Sequence, residues 1–147
     1  MIVRIAHSVN DLDAILHGAR AFAAFVNVPY LMGDNLEASI AAVVNNPDVR
    51  VLLAVKDGEV VGGMGLYFAP YMWDHKKVVC NELFWWCYPH APKLAALILL
   101  KRARTLARDY GANLVSFTAM RNSPDGVGRV YERMGLKAVQ THYMGEI

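Results

Sequence analysis

The sequence predicts a single α/β domain spanning 1–147, with a mixed central sheet of about six or seven strands flanked by about four helices. Its 147 residues fit one domain of ordinary size. The spacing of apolar residues changes repeatedly between strand-like and helix-like periods. Asp57-Gly58 is a two-residue hairpin signal, which indicates antiparallel strands. A strand–helix–strand unit over 77–119 indicates a parallel pair, so the sheet is expected to be mixed.

The first part of the chain is predicted to be mainly helical. After the opening strand, Ser8 or Asn10 is placed to cap a helix, and Pro29 ends that segment. Apolar residues recur at helical spacing on both sides of this boundary. The predicted elements are a strand at 2–6, a helix at 11–26 and a second helix at 36–45.

Three strands are predicted next, at 49–55, 60–68 and 77–88. The third is the most apolar and is therefore expected at the centre of the sheet. Gly62, Gly63 and Gly65 lie within the second of these strands. Glycine weakens a strand, so these residues indicate a bulge or a close packing contact.

The last part of the chain predicts a crossover helix followed by a strand, a helix and a strand. Pro92 suits the first turn of a long helix over 92–110, and Gly111 suits the position after its end. Ser123 and Pro124 are typical of a cap and first position for another helix, which Gly135 ends. The final strands are predicted at 114–119 and 136–144.

Composition excludes several classes of protein. Hydrophobic residues make up 55% of the chain and charged residues 19%, which favours a large core or a self-associating surface, as in a homodimer. The net charge of +2 is too small for a nucleic-acid-binding surface. No apolar run is long enough to span a membrane, and no signal peptide is evident at the N-terminus. We expect a cytoplasmic protein that binds neither nucleic acid nor membrane.

The cysteines and histidines give no sign of a disulfide or a metal site. Cys80 and Cys87 lie in one predicted strand, at a spacing that puts them on opposite faces if the strand is regular. Two reduced thiols in a cytosolic protein are the simplest interpretation. The histidines show no metal-ligand spacing, so no metal is expected.

Three stretches of the chain carry a family resemblance. They are 81–89 (Asn-Glu-Leu-Phe-Trp-Trp-Cys-Tyr-Pro), 122–136 with its Asn and its ending Tyr-Glu-Arg-Met-Gly-Leu, and the opening strand 2–6. In order and spacing they resemble the GNAT superfamily of acyl-CoA N-acyltransferases over nearly the whole chain. The Glu-Leu-Phe-Trp run looks closest to acetyltransferase-like proteins of tailed phages.

The resemblance implies acetyl-CoA as cosubstrate, held at the start of the crossover helix. The family's glycine-rich motif lets backbone N–H groups approach the pyrophosphate there. In this chain 90–97 contains no glycine, and Pro92 removes one N–H donor. Lys93 or His90 is placed to supply positive charge instead, although a lone histidine here is also typical of an ordinary loop residue. The implied cosubstrate-binding residues are Tyr88, His90, Lys93, Leu94, Ala95, Ala96 and Asn122.

Glu82 and Tyr131 are the candidate catalytic residues. An acidic residue on this strand often serves as general base in the family, and burial among apolar neighbours would raise its pKa. By its place in the motif, Tyr131 matches the family tyrosine that protonates the departing CoA thiolate. A phenol suits this role, because the pKa values of a phenol and a thiol lie within about two units. The structural alternatives are a paired carboxylate, a core aromatic residue and, for Asn122, a turn.

The implied activity is direct transfer of an acetyl group to an amine, on a small molecule or a protein. The alternative is a binding protein that keeps this fold, has lost acetyl-CoA and acts through protein contacts. The missing glycines of 90–97 motivate that alternative.

Overall fold

The computed structural model describes residues 1–7, 9–27, 35–141 and 143. These residues form five strands and four helices. Their order and bounds are β1 (Ile2–Ile5), α1 (Leu12–Val26), α2 (Leu36–Val44), β2 (Val49–Lys56), β3 (Glu59–Tyr71), β4 (Asp74–Cys87), α3 (Ala95–Asp109), β5 (Leu114–Ser116) and α4 (Val127–Arg133).

The strands form one mixed sheet in the order β1-β2-β3-β4-β5. Adjacent strands from β1 to β4 are antiparallel, whereas β4 and β5 are parallel, so the mixed sheet is confirmed. The described residues contain five strands, slightly fewer than expected. The strand predicted at 77–88, which corresponds to β4, was expected at the centre of the sheet. That prediction is wrong, because β3 occupies the central position and β4 lies beside it.

Helices cover both faces of the sheet. On one face, buried residues of α3 and α4 pack with β2, β3 and β4; on the other face, α1 and α2 do so. Leu52 and Leu53 of β2 show the alternation directly, because successive residues of a strand point to opposite faces. Both are fully buried, Leu52 on the α3 face and Leu53 on the α1 face. Full burial of such a side chain contributes roughly 1.5–3 kcal/mol.

A β-bulge interrupts β4 at Leu83. Gly65 of β3 pairs with Phe84, and the next residue, Leu66, pairs with Glu82, so Leu83 is the extra residue. Beyond a bulge the facing of the side chains is reversed. Glu82 therefore points to the α3 face, whereas Phe84 belongs to the α1 face.

The bulge overturns one expectation about the cysteines. Cys80 lies in the α3-face cluster, and Cys87 pairs with Gly62, which shares that face with Met64. The two thiols thus lie on the same face, because the extra residue offsets their odd spacing. Both are free.

The glycines of β3 make room for aromatic side chains of β4, which confirms the close packing contact that was one of the two alternatives for these residues. A Cβ placed on Gly63 would lie 2.3 Å from the Trp86 ring, and one on Gly65 would lie 2.8 Å from the Phe84 ring. Gly18 of α1 approaches Trp86 from the other side, where an added Cβ would be 2.0 Å from the ring. Trp86 is therefore clamped between α1 and β3.

Two helices begin later than predicted. The N–H of Ala91 donates to the Tyr88 carbonyl and that of Ala95 to the Pro92 carbonyl, so two tight turns precede α3. The predicted start at Pro92 is therefore wrong. Helix α4 begins after Gly126, whose φ of 96° is not helical. Ser123 does not cap it, because its hydroxyl accepts the N–H of Met120.

The first helix is not capped as predicted either. Asp11, not Asn10, occupies the N-cap position of α1, and its side chain makes no cap hydrogen bond. Its carboxylate instead accepts two bonds of 2.7 Å from Arg4 and one of 2.8 Å from the N–H of His7. This pairing lowers the pKa of Asp11 to about 2. The predicted cap Ser8 and the terminator Pro29 lie outside the described residues.

The predicted final strand is absent from residues 136–141. The N–H of Leu136 donates to the Tyr131 carbonyl, which keeps the chain against the end of α4. Val139 is 87% exposed, so this stretch has no alternating buried face. The remainder of that prediction, 142 and 144, lies outside the described residues.

Candidate active site

The site lies where β4 and β5 stop pairing. The parallel ladder joins only three residue pairs and ends at Asn81 and Ser116. Strand β4 continues to Cys87, still paired with β3 on its other edge. The predicted strand 114–119 is therefore too long, and the chain beyond Ser116 is free to leave the sheet.

Glu82 is the first residue of β4 beyond this ladder. Its Oε2 accepts the backbone N–H of Thr118 at 2.9 Å. The half-buried carboxylate thus links β4 to the segment that follows β5, at the point where backbone pairing between the strands ends.

Burial raises the pKa of Glu82 from an ordinary 4.5 to about 7, since the protein interior disfavours the charged form. The hydrogen bond from the Thr118 N–H lowers the pKa of Glu82, because it stabilises the charged form. A carboxyl group with a pKa near neutrality exchanges protons readily at physiological pH, as a general base must.

Tyr131, on α4, reaches the same peptide unit. Its hydroxyl donates to the Thr118 carbonyl at 3.1 Å. Its ring is buried and stacks on Phe117, with the ring centroids 5.7 Å apart. The structure therefore brings both predicted catalytic side chains to one residue, Thr118.

The surroundings of Tyr131 make it a weaker acid. Burial, and then the charge of Glu82, raise its pKa above the ordinary value of 10.0. This widens the gap between the phenol and a thiol, whose ordinary pKa is about 8.5. On the same face, burial raises the pKa of the Cys80 thiol to about 11, which disfavours the thiolate that a nucleophile needs.

The turn between β4 and α3 holds several of the residues that are predicted to bind the cosubstrate. Lys93 is exposed and Leu94 is 62% exposed. Leu94 is the N-cap residue and makes no side-chain cap bond, so α3 starts without a capping group. In the described part of the chain the N–H groups of Ala96 and Leu97 have no acceptor. An uncapped helix start favours an anion.

Ala95 contributes little to such a site. Its side chain is fully buried and its N–H is bonded to the Pro92 carbonyl. Pro89 and Pro92 have no N–H, and that of Ala91 is also occupied. The turn thus offers fewer amides than a glycine-rich loop would.

Tyr88 lies in an aromatic row beside this turn. His90 stacks on it at 5.6 Å between centroids, and His17 of α1 contacts it at 5.9 Å. His90 Nε2 also lies 3.3 Å from a carboxylate oxygen of Glu59. His17 gave no sequence signal, because only the fold brings α1 to the end of β4.

Asn122 contacts the end of α1. Its side-chain amide donates to the Val26 carbonyl at 2.8 Å and so ties the segment before α4 to the end of α1.

Thr118 is a site residue that sequence reasoning missed. It makes its contacts with Glu82 and Tyr131 through main-chain atoms that any residue except proline provides.

The described residues contain no cluster of three or more metal-ligating side chains, and none of their helices is long and apolar enough to cross a membrane. Two open clefts of about 380 and 520 Å³ have linings that do not include Glu82.

Solved structures share this fold. A probable acetyltransferase has a TM-score of 0.80 at 20% identity, over 100% of this chain and 98% of the other. A ribosomal-protein-alanine N-acetyltransferase from Brucella melitensis biovar Abortus 2308 scores 0.76 at 16% identity, with 100% of both chains covered. A predicted acetyltransferase with acetyl-CoA from Clostridium acetobutylicum scores 0.77 at 11% identity, over 99% and 95%.

No family model matches the sequence, and no curated protein does. The structural likeness covers the whole chain, and it shows that the chain has the GNAT fold.

Proposed function

We propose that the protein is an acetyl-CoA-dependent N-acetyltransferase that transfers an acetyl group directly to an amine. The carrying observation is the position of Glu82, a half-buried carboxyl with a pKa of about 7 at the point where β4 and β5 part. The acetyltransferase names of structures with the same fold support the proposal.

The reaction needs one base and a leaving thiolate. The amine nitrogen attacks the thioester carbonyl carbon, and Glu82 accepts the proton that the nitrogen loses, directly or through a water. The C–S bond then breaks, the amide forms and CoA leaves as a thiolate. Because a thiol has a pKa of about 8.5, this thiolate takes its proton from water near neutral pH.

The start of α3 is the place for the pyrophosphate of acetyl-CoA. The N–H groups of Ala96 and Leu97 and the positive end of the helix dipole favour an anion there. Lys93 adds an exposed positive charge, and His90 lies in the same turn.

A second function follows from the same turn. Because Ala91 and Ala95 use their N–H groups internally and two prolines have none, this protein could instead bind a partner without acetyl-CoA. The two functions differ in whether the protein turns over acetyl-CoA, and the enzyme hypothesis further predicts that this turnover needs Glu82.

The test is CoA release from acetyl-CoA with a panel of amines, peptide N-termini and lysine peptides, for the wild type and Glu82→Gln. Loss of a general base lowers kcat by about 10²–10⁴-fold. Glu132→Gln is the matched control, because Glu132 is an exposed carboxylate beside Tyr131 on α4. Equal turnover by the wild type and Glu82→Gln would exclude Glu82 as the base.

A further inference from the structure

The Thr118 peptide unit takes its hydrogen bonds from side chains instead of from a neighbouring strand. The ladder of β5 ends at Ser116, two residues earlier. The Thr118 N–H is bound by Glu82 and its carbonyl by Tyr131. Residues 117–126 contain no regular strand or helix, so these two bonds fix the orientation of this peptide.

Tyr131 is anchored more firmly than the peptide that it binds. Its ring is buried, stacks on Phe117 and belongs to the α3-face core. A tyrosine hydroxyl has a single proton to donate, and here the Thr118 carbonyl receives it. The hydroxyl therefore lies in a fixed position, from which it orients the peptide.

We infer that Tyr131 is a positioning residue: it orients the Thr118 peptide so that the N–H of Thr118 holds the Glu82 carboxylate at the open end of the β4–β5 pair. The catalytic meaning of this arrangement rests on the proposed function. It differs from the role implied by the family resemblance, in which the tyrosine protonates the thiolate.

A measurement without substrate tests the arrangement. The side-chain carboxyl carbons of the five glutamates are titrated by ¹³C NMR, and Glu82→Gln identifies the resonance of Glu82. Tyr131→Phe keeps the ring but frees the peptide, so the pKa of Glu82 should rise by roughly 0.5–1 unit as the N–H bond to its charged form weakens. Thr118→Ala keeps both main-chain groups and should leave the titration unchanged.

Kinetics separates the two roles of Tyr131. If Tyr131 is a positioning residue, Tyr131→Phe should lower kcat/KM by the same factor for an alkyl thioester and for an activated aryl thioester. The acidic limb of the pH profile should move to higher pH. If Tyr131 is instead the acid that protonates the thiolate, the loss of kcat/KM should be largest for the alkyl thioester, whose thiolate is the more basic leaving group. The inference is overturned by an unchanged Glu82 titration in Tyr131→Phe, or by a loss confined to the alkyl thioester. If the wild type has no activity, the proposed function fails, and the NMR titration still decides the arrangement.

Discussion

The two faces of β4 differ in what they bury. Phe84 and Trp86 point to the α1 face, where their rings stack with centroids 5.9 Å apart and fill space left by glycines. Glu82 points to the α3 face, where a titratable carboxyl meets the Thr118 peptide. The extra residue of the bulge, Leu83, lies between Glu82 and Phe84 and allows them to point to opposite faces. The comparison teaches that a sealed apolar face supports a polar site on the opposite side of the same strand.

Shifting the strand beyond the extra residue should have the largest effect. Insertion of one alanine between Phe84 and Trp85 would turn Trp86 toward the α3 face, or else displace Phe84 from its place on the α1 face. Either change removes a large ring from the packed α1 face, so we expect loss of the cooperative urea transition followed by circular dichroism. Deletion of Leu83 is the control, because it leaves Phe84 and Glu82 opposite consecutive residues of β3 and so keeps each on its own face. An insertion variant as stable as the wild type would contradict the importance of this facing.

Sequence patterns predicted the order of elements from β1 to α4, but not the bulge in β4. The run Leu-Phe-Trp-Trp-Cys-Tyr over 83–88 is apolar or aromatic throughout, so no alternation reveals where the facing reverses. The Asp57-Gly58 hairpin and the parallel pair around α3 follow from local signals and are confirmed.

The candidate site was only partly readable from the sequence. Glu82 and Tyr131 were singled out by motif resemblance, and the structure places them together. Their meeting point, Thr118, makes its contacts through the main chain, and no residue pattern encodes such contacts. The start of α3 was misjudged for a similar reason, because backbone bonds at Ala91 and Ala95 set it.

The apolar face is next most sensitive to added volume. Gly18→Ala places a methyl group 2.0 Å from Trp86, and Gly63 prevents the ring from moving away. Overpacking of this kind costs about 1–3 kcal/mol, despite the better helix propensity of alanine. Urea unfolding midpoints measure the change. Gly128→Ala is the control, because nothing lies within 4 Å of its added methyl and it should stabilise by up to about 1 kcal/mol. Equal effects of the two substitutions would refute the clamp on Trp86.

The polar face should give a smaller, pH-dependent effect. The pKa of Glu82 is about 7 in the folded protein against an ordinary 4.5, so the folded state binds more protons between these values. The free energy of unfolding contributed by this group therefore falls as pH rises from about 4.5 to 7. Glu82→Gln removes this term, and its stability relative to the wild type should increase over that range in urea titrations. Parallel pH profiles for the two proteins would show that Glu82 is not perturbed.

Binding of acetyl-CoA tests the central claim most directly, because the polar face is proposed to serve an acyl-CoA reaction. Calorimetric titration of the folded wild type with acetyl-CoA, and with CoA alongside, should give binding at micromolar strength, weakened in Lys93→Ala and retained in the control Lys76→Ala on the β3–β4 hairpin. Absence of binding at millimolar acetyl-CoA would contradict the acetyltransferase proposal and favour a protein of this fold that binds a partner instead.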